Sequence, residues 1–166
     1  LQQLKDAGAF RAARVGQGAS RQRADDIRSD QICWFKVDAT GDASTNTTDT
    51  NDDDDTDGVA PGPAVRRYLE ALDVIRAGIA RTCFLSLSHI ELHAACYEPG
   101  TRYGAHVDTF KDDRRRVISL CSYLNDDWQP EHGGCLRLHT DPPRDIEPRA
   151  DRLVIFQSHT MLHEVL

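Results

Sequence analysis

Tyr97 to Asp108 read YEPGTRYGAHVD, and this stretch decides both the fold and the chemistry that the sequence predicts. Pro99 and Gly100 predict a tight turn, and the residues after it are typical of a β-strand that leads to His106. Side chains two positions apart on a strand share one face, so this imidazole and the Asp108 carboxylate can reach one point. H-x-D alone is a weak signal, because it occurs by chance and a lone histidine is as often an ordinary loop residue.

A metal site at this point needs a third ligand from a different strand. His163, in the segment 162–165, is the candidate. Two imidazoles and one carboxylate form the facial set that binds Fe(II) and leaves three coordination positions open. Zn²⁺ accepts the same donor types, so the residues by themselves leave a zinc enzyme open as an alternative.

The sequence on both sides of this stretch predicts an α+β protein. Short apolar segments with strand-like alternation are separated by turn residues, which is typical of a β-barrel or sandwich. These segments are 31–37, 84–94, 116–124, 134–139, 152–157 and 162–166. Helical spacing predicts a first helix within 1–14 and a second that begins at Pro61-Gly62-Pro63 and carries a long apolar stripe. We expect the two helices to buttress one face of the strands.

The charge of the chain is concentrated in one segment. The 166 residues carry a formal charge of −7, which argues against nucleic acid or an anionic membrane as the main partner. Asp38 to Asp57 hold eight acidic residues and no basic ones, so the rest is close to neutral. Residues 38–60 predict a disordered acidic insert, because they contain almost no apolar side chains. A Ca²⁺ loop there would need ligand spacing that Asp52 to Asp55 lack.

Three other features concern the compartment of the protein. The five cysteines contain no C-x-x-C pair, which predicts buried, reduced thiols rather than a disulfide framework. No apolar run reaches the length of a membrane-spanning helix, and the first residues do not form a secretory signal. We therefore expect a cytoplasmic protein, and the oligomeric state stays open.

Further motifs flank the central stretch on both sides, in a fixed order. They are I-R-x-D-x-I-x-W at 27–34, Y-L-N-x-x-W at 123–128, G-G-x-L-R at 133–137 and I-E-P-x-x-D-R-L at 146–153. With these motifs the sequence resembles the prolyl 4-hydroxylase branch of the Fe(II)- and 2-oxoglutarate-dependent dioxygenases. It is similar to the hypoxia-sensing-type prolyl hydroxylases and their bacterial relatives from about residue 27 onward.

The resemblance implies a double-stranded β-helix, which is a jelly-roll or cupin-like barrel with the metal at its open end. It implies that His106, Asp108 and His163 bind Fe(II), with 2-oxoglutarate and O₂ as co-substrates and ascorbate as a reductant. The implied reaction hydroxylates a peptide or protein substrate, with a prolyl residue as the target, and releases succinate and CO₂. No catalytic side chain beyond the metal centre is implied. A non-catalytic β-helix scaffold is the alternative, although a scaffold has no need of all three ligands.

The same resemblance implies which residues contact 2-oxoglutarate. Tyr123 matches the tyrosine that bonds the distal carboxylate, Tyr97 matches one that lines the same pocket, and Leu136 matches an apolar wall residue. Without the motif, the alternative for both tyrosines is an inward-facing core residue. The family has a basic anchor for that carboxylate about nine positions after the last histidine. We expect this anchor beyond Leu166, and we interpret 1–166 as a single, C-terminally truncated dioxygenase domain without its initiator Met.

Overall fold

A computed structural model of the chain describes residues 1–16, 22–37, 58–109 and 115–166. The predicted acidic insert at 38–60 lies outside these ranges except for residues 58–60. The chain divides into two compact units. The first comprises Leu1–Gln22 and Gln31–Cys96, and the second comprises Arg23–Asp30 and Tyr97–Leu166.

The first unit combines two helices with one small sheet. Its elements are α1 (Gln2–Asp6), β1 (Arg11–Ala12), β2 (Gln31–Trp34), α2 (Pro63–Cys83) and β3 (His93–Cys96). The strands form an antiparallel sheet in the order β1-β2-β3. The long helix α2 confirms the predicted second helix: proline, whose φ is already helical, stands at its first position, and Leu69 and Leu72 are buried. No helix in the described ranges has the length and apolarity needed to cross a membrane.

Three predictions for this unit are corrected by the structure. The first helix was expected within 1–14 but ends at Asp6, because Gly8 has a φ of +68° that a helix cannot contain. Strand structure in the segment 84–94 is confined to its end, since β3 begins only at His93, where pairing with β2 begins. The thiols were expected to be buried; Cys33 is, but Cys83 is exposed at the end of α2.

The described regular elements of the second unit are antiparallel strands and one short 3₁₀ helix at Pro130–His132. The strands are β4 (Tyr103–His106), β5 (Ile118–Ser122), β6 (Leu136–Leu138), β7 (Arg144–Ile146), β8 (Leu153–Gln157) and β9 (His163–Val165). One sheet has the order β4-β9-β6-β7, the other pairs β5 with β8, and within the described ranges they do not close into one barrel. The four predicted strand segments from 116 onward are confirmed. The strand β7 was missed, because its residues Arg144 and Asp145 are exposed and charged.

Strand alternation places the apolar core of this unit. In β8, Val154 and Phe156 are buried, whereas the residues between and beside them are exposed. These two pack with Leu136 into a cluster that partly buried side chains surround: Cys121, Tyr123, Leu138, Ile146, Met161 and Val165. Directly paired residues of neighbouring strands lie on the same face of the sheet. Ser119 pairs with Phe156 and Cys121 pairs with Val154, so Ser119 and Cys121 of β5 also face the core.

The strand β4 is held along both of its edges. It begins after a turn in which Gly100 adopts a φ of +83° and the Thr101 N–H donates to the Glu98 carbonyl at 2.9 Å. This confirms the predicted turn, with proline and glycine at the central positions that a type II turn requires. On one side β4 pairs with β9, and on the other the Gly104 N–H donates to the Ile27 carbonyl at 2.7 Å. The segment 27–30 is thereby fixed beside Tyr103.

Candidate metal centre

The three predicted ligand residues converge at one end of the larger sheet. His106 of β4 and His163 of β9 are directly paired across the two strands, and Asp108 follows two residues later. One ligand atom from each of the three lies within 4.8 Å of the other two. The structure thus brings together the residues that the H-x-D pattern and the distant histidine suggested.

Backbone hydrogen bonds fix which nitrogen of each histidine is available. The Nδ1 of His106 lies 2.9 Å from the Gly104 carbonyl, and the Nδ1 of His163 lies 2.9 Å from the Met161 carbonyl. A carbonyl can only accept, so each Nδ1 carries the proton and each Nε2 keeps its lone pair. Metal-ligating histidines are held in this way by a second partner.

The free nitrogens both face the same carboxylate oxygen. The Oδ1 of Asp108 lies 3.4 Å from His106 Nε2 and 3.6 Å from His163 Nε2. Three lone-pair atoms this close repel one another unless a cation lies among them. The donor set, with two neutral imidazoles and one carboxylate, therefore fits a divalent metal such as Fe(II).

The Asp108 carboxylate is held in its ionised form. Burial raises the pKa of this group, but the contacts with His106, Ser119 and His163 together bring the pKa down to about 2. Burial also lowers the pKa of His163, which favours its neutral, ligating form. Both shifts point to the protonation states that a metal requires near neutral pH.

Two serines orient the same carboxylate from behind. Ser119 Oγ–H donates to Asp108 Oδ2, and Ser119 Oγ lies 2.7 Å from the Oγ of Ser158, which is 0% exposed. The Asp108 N–H in turn donates to the Ser158 carbonyl at 3.0 Å. One carboxylate oxygen is therefore occupied by the protein, while the other faces the histidines.

Two of the three residues predicted to contact 2-oxoglutarate lie in the adjoining apolar cluster. His163 is 5% exposed, and its ring centroid lies 4.7 Å from that of Phe156 in the cluster. Tyr123 and Leu136 belong to the same cluster. Tyr97 is half-buried, with Asp30 and Cys121 nearby, and burial is the main cause that raises its pKa. The apolar cluster and the metal centre are thus in direct contact.

Sequence reasoning missed the two serines, although a signal for them was present. Ser119 stands two and four positions before Cys121 and Tyr123 on a predicted strand, so it shares their face. Ser158 follows Phe156 in the same way after β8. The alternation of side chains along each strand therefore places both serines on the inward face. A serine in a strand, however, carries no chemical signature of its own.

Comparisons with known proteins agree with this geometry. The family model described as the 2OG-Fe(II) oxygenase superfamily matches residues 92–166. The solved structure of a Pseudomonas putida prolyl-4-hydroxylase has 33% sequence identity and a TM-score of 0.77, with 99% of this chain and 74% of that chain covered. A Trichoplax adhaerens prolyl hydroxylase, solved with a peptide of hypoxia inducible factor, has 23% identity and a TM-score of 0.63, with 99% and 67% covered. At that identity the likeness concerns the fold.

The curated relatives are longer proteins, and the chain matches only part of each. The hypoxia-inducible factor prolyl hydroxylase of Caenorhabditis elegans is 32% identical over 149 residues, which is 85% of this chain and 18% of that protein. Egl nine homolog 1 of Mus musculus is 29% identical over 167 residues, which is 93% of this chain and 35% of that protein. The chain therefore spans well under half the length of these relatives.

Proposed function

The chain belongs to the prolyl 4-hydroxylase branch of the 2OG-Fe(II) oxygenase superfamily, and we propose that it hydroxylates a prolyl residue in a peptide or protein substrate. The family uses Fe(II), 2-oxoglutarate and O₂. In the balanced reaction one oxygen atom of O₂ enters the substrate C–H bond, and the other enters succinate as 2-oxoglutarate loses CO₂. The observation that carries this proposal is the convergence of two imidazole nitrogens and one carboxylate oxygen within 4.8 Å.

We propose that Nε2 of His106, Nε2 of His163 and Oδ1 of Asp108 hold the iron. The proposal is supported by the carbonyl contacts that keep both Nδ1 atoms protonated and by the serine that occupies Oδ2. When bound, Fe(II) supplies the oxidative chemistry together with 2-oxoglutarate and O₂. The protein's own contribution is to orient the ligands and to exclude water, and no side chain needs to transfer a proton.

For 2-oxoglutarate we propose the site formed by Tyr97, Tyr123 and Leu136, with ascorbate as an external reductant. The support is that Tyr123 and Leu136 lie in the apolar cluster that contacts His163, and that Tyr97 lies near Cys121, which packs against this cluster. A dianionic keto acid beside buried apolar groups needs a polar partner at its far end, and a tyrosine hydroxyl is such a partner. Burial raises the pKa of Tyr123, so its hydroxyl keeps the proton it would donate.

We further propose that the two sheets of the second unit are the two faces of a double-stranded β-helix. Side chains from β5 and β8 reach the residues of the other sheet, since Ser119 bonds Asp108 and Phe156 contacts His163. That helices of the first unit buttress this β-helix, and that the chain is one domain, stay predictions from the sequence.

A turnover assay tests the function. Protein stripped of metal with a chelator is supplied with Fe(II), 2-oxoglutarate and proline-containing peptides, and with the same peptides in which alanine replaces proline. We expect succinate and a mass gain of one oxygen atom for the proline peptides alone, and neither product when 2-oxoglutarate is omitted. Metal binding without succinate would favour the non-catalytic scaffold, and oxygen transfer to the alanine peptides would overturn the prolyl target.

Ser119→Ala is expected to weaken metal binding without unfolding the protein. The substitution removes the donor to Asp108 Oδ2, so the carboxylate loses the contact that aims Oδ1 at the histidines. Loss of such an outer partner typically costs about 10- to 100-fold in metal affinity. Titration of the metal-free protein with Co(II), followed by visible absorption, measures the change.

Ser122→Ala is the matched control, because Ser122 lies on the same strand but is exposed on its other face. Its Co(II) affinity should equal that of the unsubstituted protein. Equal affinities for both serine variants would contradict a role of Ser119 in orienting Asp108.

A further inference from the structure

One histidine of the metal centre rests against an aromatic ring that none of the proposed roles uses. The rings of Tyr103 and His106 are stacked, with their centroids 3.6 Å apart and their planes at 15°. The two histidines differ in this respect: His163 is buried and packs on Phe156, whereas the side chain of His106 is 18% exposed. His106 is therefore the ligand that depends more on a neighbour for its orientation.

The ring of Tyr103 also contacts an ion pair between Arg28 and the buried Asp30. The Cζ of Arg28 lies 4.4 Å from the centroid of the Tyr103 ring, which is a cation–π contact. The same guanidinium forms a two-pronged contact with Asp30, with Nε–Oδ1 at 2.7 Å and Nη2–Oδ2 at 2.9 Å. Asp30 is 1% exposed, so this fork cannot turn freely.

Backbone hydrogen bonds hold the segment of Arg28 beside the strand of Tyr103. Arg28 and Tyr103 form a β-bridge, and the neighbouring Ser29 N–H donates to the Arg102 carbonyl at 3.0 Å. The layers therefore follow one another as carboxylate, guanidinium, phenol and imidazole. A buried ion pair contributes little net stability on average, since desolvation offsets its attraction, so its effect here is on orientation.

We propose that Tyr103, fixed from behind by the Arg28–Asp30 pair, is a positioning residue for the metal ligand His106. The Gly104 carbonyl fixes the proton on Nδ1 but leaves the imidazole free to tilt about that hydrogen bond. The stacked phenol restricts the plane of the ring, so that Nε2 stays aimed at the point shared with Asp108 and His163. This inference rests on the proposed metal site.

Co(II) titration of the metal-free protein tests the proposal, with absorption in the visible region as a report on ligand geometry. We expect Tyr103→Leu to weaken Co(II) binding about tenfold or more and to change the Co(II) spectrum. Tyr103→Phe keeps the stacked ring and should restore both. The double variant Arg28→Met, Asp30→Leu removes the ion pair without leaving a lone buried charge. We expect it to weaken binding about two- to fivefold, the factor that corresponds to one cation–π contact.

Arg149→Met is the matched control. Arg149 lies 5.2 Å from the Trp128 ring centroid, so the variant removes a similar contact in the same unit away from the metal centre. It should bind Co(II) as the unsubstituted protein does. A folded Tyr103→Leu protein with unchanged affinity and spectrum would overturn the proposal. If that variant does not fold, an unchanged affinity and spectrum in the double variant would overturn it. Failure of the unsubstituted protein to bind Co(II) would overturn the proposed function itself.

Discussion

Asp108→Ala is expected to abolish both metal binding and succinate formation. The carboxylate is the one charged group of the proposed ligand set, and without it two neutral imidazoles remain to hold a divalent cation. We expect the affinity for Fe(II) or Co(II) to fall by more than the roughly 100-fold that marks the loss of an outer partner. Titration with Co(II) measures binding, and succinate formed in the presence of Fe(II) and 2-oxoglutarate measures turnover.

Asp145→Ala provides the control for this variant. Asp145 is an exposed carboxylate on β7, paired with Arg137 at 2.7 Å, so the same chemical change is made away from the metal centre. It should leave metal affinity and turnover unchanged, because surface ion pairs contribute at most about 1 kcal/mol to stability. Iron-dependent succinate formation by the Asp108→Ala variant would contradict the assignment of the metal site.

Local patterns predicted the parts of the fold that local physics controls. Proline at the first position and an apolar stripe sufficed for α2, and proline followed by glycine sufficed for the turn at Glu98. His163 was also predicted as the partner of His106 at one metal site, because both are metal-ligating residue types and each lies in a strand-like segment. In each case the prediction depended on residues that are close together in the sequence or on a residue type with a known chemistry, such as a metal-ligating histidine.

Long-range pairing decided what the sequence did not predict. The strand β7 has no apolar alternation and exists because it pairs with β6, with Arg137 and Asp145 facing each other across the two strands. The stack behind His106 depends on a contact between segments that hold Ser29 and Arg102, which lie 73 positions apart. Arg28 and Asp30 were read as part of a family motif, but the motif did not say which side chains they would meet.

The second large effect concerns stability. Phe156→Ala is expected to destabilise the protein by about 3–5 kcal/mol, the usual cost of removing a buried aromatic ring from a core. Phe156 is 6% exposed, and the vacated volume would lie between Leu136, Val154 and the His163 ring. The free energy of unfolding, measured by urea titration of the metal-free protein, reports the loss.

Ile155→Ala separates this core effect from a general sensitivity of the strand β8. Ile155 is the next residue on the same strand, but it is 42% exposed, so its truncation should cost no more than about 1 kcal/mol. Similar losses from the two variants would contradict the inward and outward alternation of β8. Because Phe156 also packs on a proposed ligand, its variant should gain less stability from added Co(II) than the Ile155 variant does. The two measurements together would show that the apolar cluster supports the fold and the metal centre through the same ring.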